Sequence, residues 1–130
     1  MARERSNISK KIRVLIADDD GLFRETLKRL LDKQSSIEIV GEAADGKQAI
    51  EKTEELSPNV VLMDISMPEM NGLEATRCLK KLHPLVSVVI VSVHGEREYQ
   101  IEAERAGADK FLLKRDLSAK SMVKAIKNVH

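Results

Sequence analysis

The chain has 130 residues, a formal net charge of +1, 42% apolar and 33% charged residues, and a single cysteine. That length corresponds to one domain with one good core. The near-neutral balance speaks against a dedicated nucleic-acid surface, and a lone Cys78 excludes a disulfide framework within the chain. Residues 1–10 carry Arg3, Arg5 and Lys10 against Glu4, which leaves the remainder with a net of −1. They have no apolar h-region and read as a flexible tail, with the domain running from 11 to 130. The longest apolar stretch, Val86 to Val93, is interrupted by Ser87 and Ser92. It falls far short of the ~20 residues a membrane-spanning helix needs.

After the tail, two kinds of segment alternate. Short Val/Ile-rich segments at Arg13–Ala17, Ile37–Ala44, Asn59–Met63, Ser87–Ser92 and Lys110–Leu113 predict strands. Three are near-continuous apolar runs, the pattern of strands covered on both faces. The second alternates at its start and reads as an edge strand. Between them lie stripes at helical spacing. The first is Leu22, Phe23, Thr26, Leu27, Leu30 and Leu31. The second is Ala49, Ile50, Thr53 and Leu56, stopped by Pro58. The third is Ala75, Leu79 and Leu82, ended before Pro84. The fourth is Tyr99, Ala103 and Ala106, closed by Gly107. The fifth is Met122, Val123, Ile126 and Val129, with Ser118 as N-cap. Strict alternation with short loops predicts an α/β fold, a doubly wound five-stranded parallel sheet.

In such sheets ligands bind outside the carboxyl ends of the strands. The first predicted strand ends in Asp18, Asp19 and Asp20, the third in Asp64, the fourth in Ser92 and the fifth in Lys114. A strand order of 2-1-3-4-5 would bring these groups together. Unit like charges about 4 Å apart repel by roughly 4 kcal/mol at an effective dielectric near 20. Clustered carboxylates therefore need a cation, and an all-oxygen donor set suits a hard ion such as Mg2+. Lys114 and the Ser92 hydroxyl offer a point charge and a donor for a phosphate. Asp64 could then act as a nucleophile that forms an aspartyl phosphate.

At these residues the chain resembles the receiver domains of two-component response regulators, over residues 12–129. The resemblance is carried by VLIADDD, by VVLMDISMPEMNGLEA, by VVIVSVH and by AGADKFLLK. The second segment contains the phosphoacceptor signature D-x-x-M-P-x-M-D/N-G, from Asp64 to Gly72. The resemblance implies a (βα)5 flavodoxin-like receiver fold and phosphorylation of Asp64 by a sensor histidine kinase. It implies Mg2+ held by Asp18, Asp19, Asp64 and the backbone carbonyl of Ser66. Ser92 and Lys114 would contact phosphoryl oxygens, and Phe111 would change rotamer with Ser92. The switch would reshape the face formed by the fourth helix, fifth strand and fifth helix, and a homodimer through that face would form on phosphorylation. SVH and GADKFLLK are similar in wording to NarL/FixJ-type regulators, whose output is a helix-turn-helix DNA-binding domain. The expected protein is cytoplasmic, with no direct nucleic-acid binding by this domain and no membrane contact. The expectation is that the native protein continues past His130 into that output domain; the alternative is a stand-alone receiver acting by protein contact.

The chain departs from the common receiver pattern in four places. Arg115 stands where Pro often follows the lysine, Ser92 replaces Thr, Val93 replaces the common Ala, and Phe111 replaces Tyr. Two other classes fit the chain less well. A haloacid dehalogenase-type phosphohydrolase wants a second Asp two residues after the nucleophile, and Ser66 stands there. A flavin carrier wants a Ser/Thr/Gly-rich phosphate loop after the first strand and aromatic stacking partners, and the chain has three Phe and Tyr residues in all. Plainer readings exist for single residues. Asp18–Asp20 alone could be a helix N-terminus, where acids complement the dipole. Cys78 reads as a buried small hydrophobe, His94 as a loop histidine, and Lys120, Lys124 and Lys127 as an exposed helix face.

Overall fold

A computed structural model describes residues 10–130. Five strands alternate with five helices: β1 (Ile12–Ala17), α1 (Gly21–Asp32), β2 (Ile37–Ala43), α2 (Gly46–Leu56), β3 (Val60–Met63), α3 (Gly72–Leu82), β4 (Ser87–Ser92), α4 (Arg97–Ala106), β5 (Lys110–Leu113) and α5 (Ala119–Val129). A single 3-10 turn, Lys114–Asp116, follows β5. The tail expected at residues 1–10 lies outside the described residues except for Lys10, which is exposed.

All four strand pairs are parallel, and the order is β2-β1-β3-β4-β5. This is the expected fold, with β2 at an edge. Successive side chains of a strand point to opposite faces, so each apolar run feeds two cores. Leu15, Val61, Met63, Val88 and Ile90 face one way and pack with Ala49, Ala75, Leu79 and Ala103, from α2, α3 and α4. Val14, Ile16, Leu62, Val89 and Val91 face the other way and pack with Leu27, Leu31, Met122 and Ile126, from α1 and α5.

Local chemistry sets the element ends. Asp20, Asp45, Asn71 and Ser118 cap the N-termini of α1, α2, α3 and α5 with side-chain oxygens. Gly107 ends α4 in the left-handed region at φ 98°. Ser57 ends α2 in the same region at φ 49°, immediately before Pro58. Arg13, inside β1, sends Nη1 to the carbonyls of Leu56 at 2.6 Å and Ser57 at 2.7 Å, satisfying the open end of α2. Asn59, expected in the third strand, stands one residue before it. Its Oδ1 accepts from Arg13 N at 2.8 Å and so continues the ladder with a side chain. Ala44 likewise falls one residue past β2, where Gln48 Oε1 accepts its N–H at 2.9 Å.

Three stripe residues belong to solvent rather than the core. Leu22 and Leu82 are 81% and 58% exposed, and Thr26 is exposed with its hydroxyl on the Leu22 carbonyl. Leu22 shares a face of α1 with the exposed Thr26 and Arg29, beside the buried Leu27 and Leu31, and Leu82 is the last residue of α3. Cys78 is partly exposed, not buried. It sits one position before the buried Leu79, on the flank of the α3 stripe. Lys120, Lys124 and Lys127 do form an exposed face.

Candidate functional site

The site is assembled where β1 and β3 end side by side. Ala17 pairs with Met63, so the next residues, Asp18 and Asp64, leave adjacent strands at the same level. Asp64 N donates to the Ala17 carbonyl at 2.9 Å, and Asp18 N donates to the Ala43 carbonyl at 2.9 Å. Asp18 Oδ1 accepts from Asp20 N at 2.9 Å. Arg24 donates to the Asp18 carbonyl from Nη1, and its Nε is fixed by Glu42 at 2.8 Å. The turn carrying the acids is thus held from α1 and β2.

The carboxylates of Asp18, Asp19 and Asp64 lie within 4.8 Å of one another. Asp18 and Asp64 are buried, and Asp19 is exposed. Asp20, grouped with them in the sequence, turns away: its Oδ1 accepts from Leu22 N and Phe23 N at 3.0 and 3.3 Å and caps α1. Lys114 enters from the turn after β5. Its Nζ is 2.8 Å from Asp18 Oδ2 and 3.6 Å from Asp64 Oδ1. Burial pushes the Asp64 carboxyl up to about 6, and the nearby charges of Asp18 and Asp19 push the same way. Lys114 and a hydrogen bond from the Ile65 backbone pull it down without offsetting them. The cluster therefore holds more negative charge than its one ammonium balances. Its donors are hard carboxylate oxygens, with an exposed acid at the mouth. This set fits a small divalent cation such as Mg2+.

Ser92 is fully buried at the end of β4, and its Oγ accepts from His94 N at 2.9 Å. Leu113 pairs with Ser92, so Lys114 follows directly on the strand beside the hydroxyl. Phe111 is half-buried against the α2–α4 core and lines a hollow of about 290 Å3 with Gln100, Leu113 and Leu117. His94 stacks on Tyr99 with ring centroids 4.5 Å apart. Ser66 is exposed two residues past Asp64.

The loop from Asp64 to Gly72 is tightly pinned. A Cβ on Gly72 would lie 1.9 Å from the Asp64 carbonyl oxygen, so only glycine permits this approach. Gly72 N donates to the Ile65 carbonyl at 2.8 Å, and Gly46 N donates to the Met70 carbonyl at 2.9 Å. Met67 is buried in the core beneath the loop.

The structure thus brings together Asp18, Asp19, Asp64 and Lys114, with Ser92 at the end of the next strand and Phe111 further off. Sequence reasoning passed over Phe23 and Arg24. Phe23 counted only as an apolar stripe residue, yet its ring centroid is 4.1 Å from Lys114 Nζ. Its place one turn from the acidic run was the available signal.

A family model for the response regulator receiver domain matches residues 14–127. The transcriptional regulatory protein DegU of Brevibacillus brevis is 41% identical over 119 residues, covering 92% of this chain and 50% of DegU. The chain therefore spans about half the length of that relative. The chemotaxis protein CheY of Thermotoga maritima is 43% identical over 102 residues, covering 78% of this chain and 84% of CheY. Among solved structures, the signal receiver domain of NarL from Mycobacterium tuberculosis superimposes with a TM-score of 0.87 at 36% identity, covering 92% of this chain and 95% of that one. No helix among the described residues is long and apolar enough to cross a membrane. On the family match across nearly its whole length, together with the 2-1-3-4-5 sheet, the chain belongs to the response regulator receiver domain family of two-component systems.

Proposed function

We propose that Asp64 is the phosphoacceptor of this receiver. A carboxylate oxygen of Asp64 attacks the phosphorus of a phosphohistidine on a sensor histidine kinase. The P–O bond to Asp64 forms, the P–N bond breaks, and the imidazole leaves and takes a proton. The observation that carries this reading is a buried carboxylate, Asp64, at a strand end with two further carboxylates and one ammonium around it. Asp18, Asp19, Asp64 and the Ser66 carbonyl would hold Mg2+. Bound there, the ion supplies charge neutralisation for the phosphoryl oxygens. Lys114 contributes a second positive charge, and the Ser92 hydroxyl a donor.

In this reading Ser92 gives up the His94 N–H and turns toward the phosphoryl group. Phe111 follows, and the α4–β5–α5 face changes shape. A homodimer through that face, or contact with an output domain, would then read the state. DegU, a transcriptional regulatory protein, supports a DNA-binding output in the full-length protein. The match to CheY over most of CheY's length supports the second reading, a receiver that acts by protein contact alone. Ser66, in place of a second Asp, speaks against sustained turnover of a phosphate ester, so the proposed role is a signalling phosphoacceptor rather than an enzyme. The domain is proposed to run from 11 to 130.

The test is intact-mass spectrometry after incubation with acetyl phosphate and Mg2+. One phosphoryl increment is expected on the wild type and none on Asp64→Asn. Equal labelling of both proteins would remove Asp64 from the role.

A further inference from the structure

Among the described residues Lys114 has three partners, and two of them are anions. The ammonium lies 2.8 Å from Asp18, 3.6 Å from Asp64 and 4.1 Å from the Phe23 ring centroid. The lysine side chain is only 16% exposed, so water does little to hold it. We propose that Phe23 is a positioning residue for Lys114: its ring face keeps the ammonium between Asp18 and Asp64 while its anionic partners change. The inference rests on the reading of Asp64 as the phosphoacceptor.

The physical case begins with the ring's own placement. Phe23 N donates to Asp20 Oδ1, and Asp20 N donates to Asp18 Oδ1. The turn that presents the acids therefore also fixes the first turn of α1, from which the ring projects. The ring and Asp18 are set by one short hydrogen-bonded chain, so they keep a common frame. Lysine, by contrast, has a long stem and would follow its strongest anion.

A phenyl face suits this role for a chemical reason. Its quadrupole attracts a cation within about 6 Å of the centroid. It carries no formal charge, so it adds no fourth anion to a site that already has three. It does not compete for a proton or a divalent ion. The attraction is also broad across the ring, whereas a hydrogen bond is directional. Phosphorylation of Asp64 would place new oxygens on its side of the site. Lys114 must then loosen its 2.8 Å bond to Asp18 and engage a phosphoryl oxygen. The ring contact can persist through that exchange. A leucine at the same place would fill space but offer no such hold.

The experiment compares Phe23→Leu, Phe23→Tyr, Lys114→Met and the double variant Phe23→Leu/Lys114→Met in the full chain. The rate of Asp64 labelling by acetyl phosphate with Mg2+ is measured for each. The Lys114 ε-methylene proton shifts are recorded by NMR without metal. Phe23→Leu is expected to slow labelling about fivefold, the size expected for one partly desolvated cation–π contact. Phe23→Tyr, which retains the ring face, is expected to label like the wild type. The ring-current displacement of the Lys114 protons should survive in Phe23→Tyr and vanish in Phe23→Leu. In the Lys114→Met background, Phe23→Leu should slow labelling no further, because the ring acts through the lysine. Should Phe23→Leu fail to fold, Phe23→Met serves the same comparison.

Unslowed labelling of Phe23→Leu overturns the proposal, and so does the same fold loss in both lysine backgrounds. Either result can stand beside normal labelling of the wild type, which separates it from failure of the phosphoacceptor reading. Absence of wild-type labelling at Asp64 overturns that reading and this proposal together.

Discussion

The Lys114 ammonium bonds Asp18 Oδ2 at 2.8 Å. Its distance to Asp64, the proposed phosphoacceptor, is longer, at 3.6 Å. The single ammonium of the cluster thus serves chiefly the acid beside the acceptor. Removing one partner of a buried pair leaves an uncompensated charge and costs more than the pair itself contributes. Lys114→Met should therefore lower stability at pH 7.5 by roughly 2–4 kcal/mol. The loss should shrink at pH 5, where Asp64 is mostly protonated. Urea denaturation in EDTA at the two pH values checks this; an equal loss at both would show that the Asp64 charge takes no part in it.

The raised Asp64 value carries a pH dependence of definite sign. The native chain keeps the Asp64 proton up to about pH 6, against 3.8 for an ordinary side chain. Between those values the native state binds more protons than the unfolded state, so stability falls as pH rises through the window. Asp64→Asn removes the effect. It should stabilise the metal-free protein by about 1–3 kcal/mol at pH 7.5 and by almost nothing below pH 4. Thermal melts of both proteins across that range decide it; a destabilised Asp64→Asn at pH 7.5 would contradict the assigned direction.

Divalent cations should act on the same balance. A ligand that binds only the native state at ten times its Kd adds about 1.4 kcal/mol. Mg2+ is expected to raise Tm at pH 7.5, and the gain should fade below pH 6 as Asp64 takes up its proton. Asp19→Asn should weaken the response, since Asp19 is the exposed acid of the cluster. A Tm insensitive to Mg2+ at pH 7.5 would remove the cation from the account.

The Asp64 loop depends on one close approach. Because a Cβ at Gly72 would stand 1.9 Å from the Asp64 carbonyl, Gly72→Ala must displace the backbone at the acceptor itself. The expected cost is about 2–3 kcal/mol, accompanied by a weaker Mg2+ response. Equilibrium unfolding with and without Mg2+ measures both effects; a neutral substitution would show that the loop can yield.

Val93 follows Ser92 and is 65% exposed. Placed directly after the Ser92 hydroxyl, its branched side chain is expected to narrow the approach to Asp64. Val93→Ala should speed labelling by small donors such as acetyl phosphate. Rates measured at fixed Mg2+ test it, and an unchanged or slower rate counts against the steric reading.

Strand and helix alternation, the order of the chemistry-bearing residues and the caps Ser118 and Gly107 were legible in the chain, whereas the caps Asp45, Ser57 and Asn71 were not read from it. The reason is local: apolar runs, helical stripes, Ser118 and Gly107 act through neighbours in sequence. The rule that sites gather at strand ends then pointed to Asp18, Asp19, Asp20, Asp64, Ser92 and Lys114, of which Asp20 caps α1 instead. The stripes misjudged Leu22 and Thr26, which share an exposed flank of α1, and Leu82, the last residue of α3, because spacing marks the broad apolar side of a helix and not the narrower band that is covered.

By itself the sequence determined the five strand–helix units, the parallel sheet and the place of acids and a lysine at strand ends; their convergence depends on the strand order β2-β1-β3-β4-β5. Tertiary structure alone decided how they are shared out. It sent Asp20 to cap α1, brought Lys114 closer to Asp18 than to Asp64, and laid the Phe23 ring against the ammonium. Those contacts join residues up to 96 positions apart and depend on strand register and side-chain rotamers. No local pattern encodes a choice between two carboxylates that differ by less than an ångström in their distance from one ammonium.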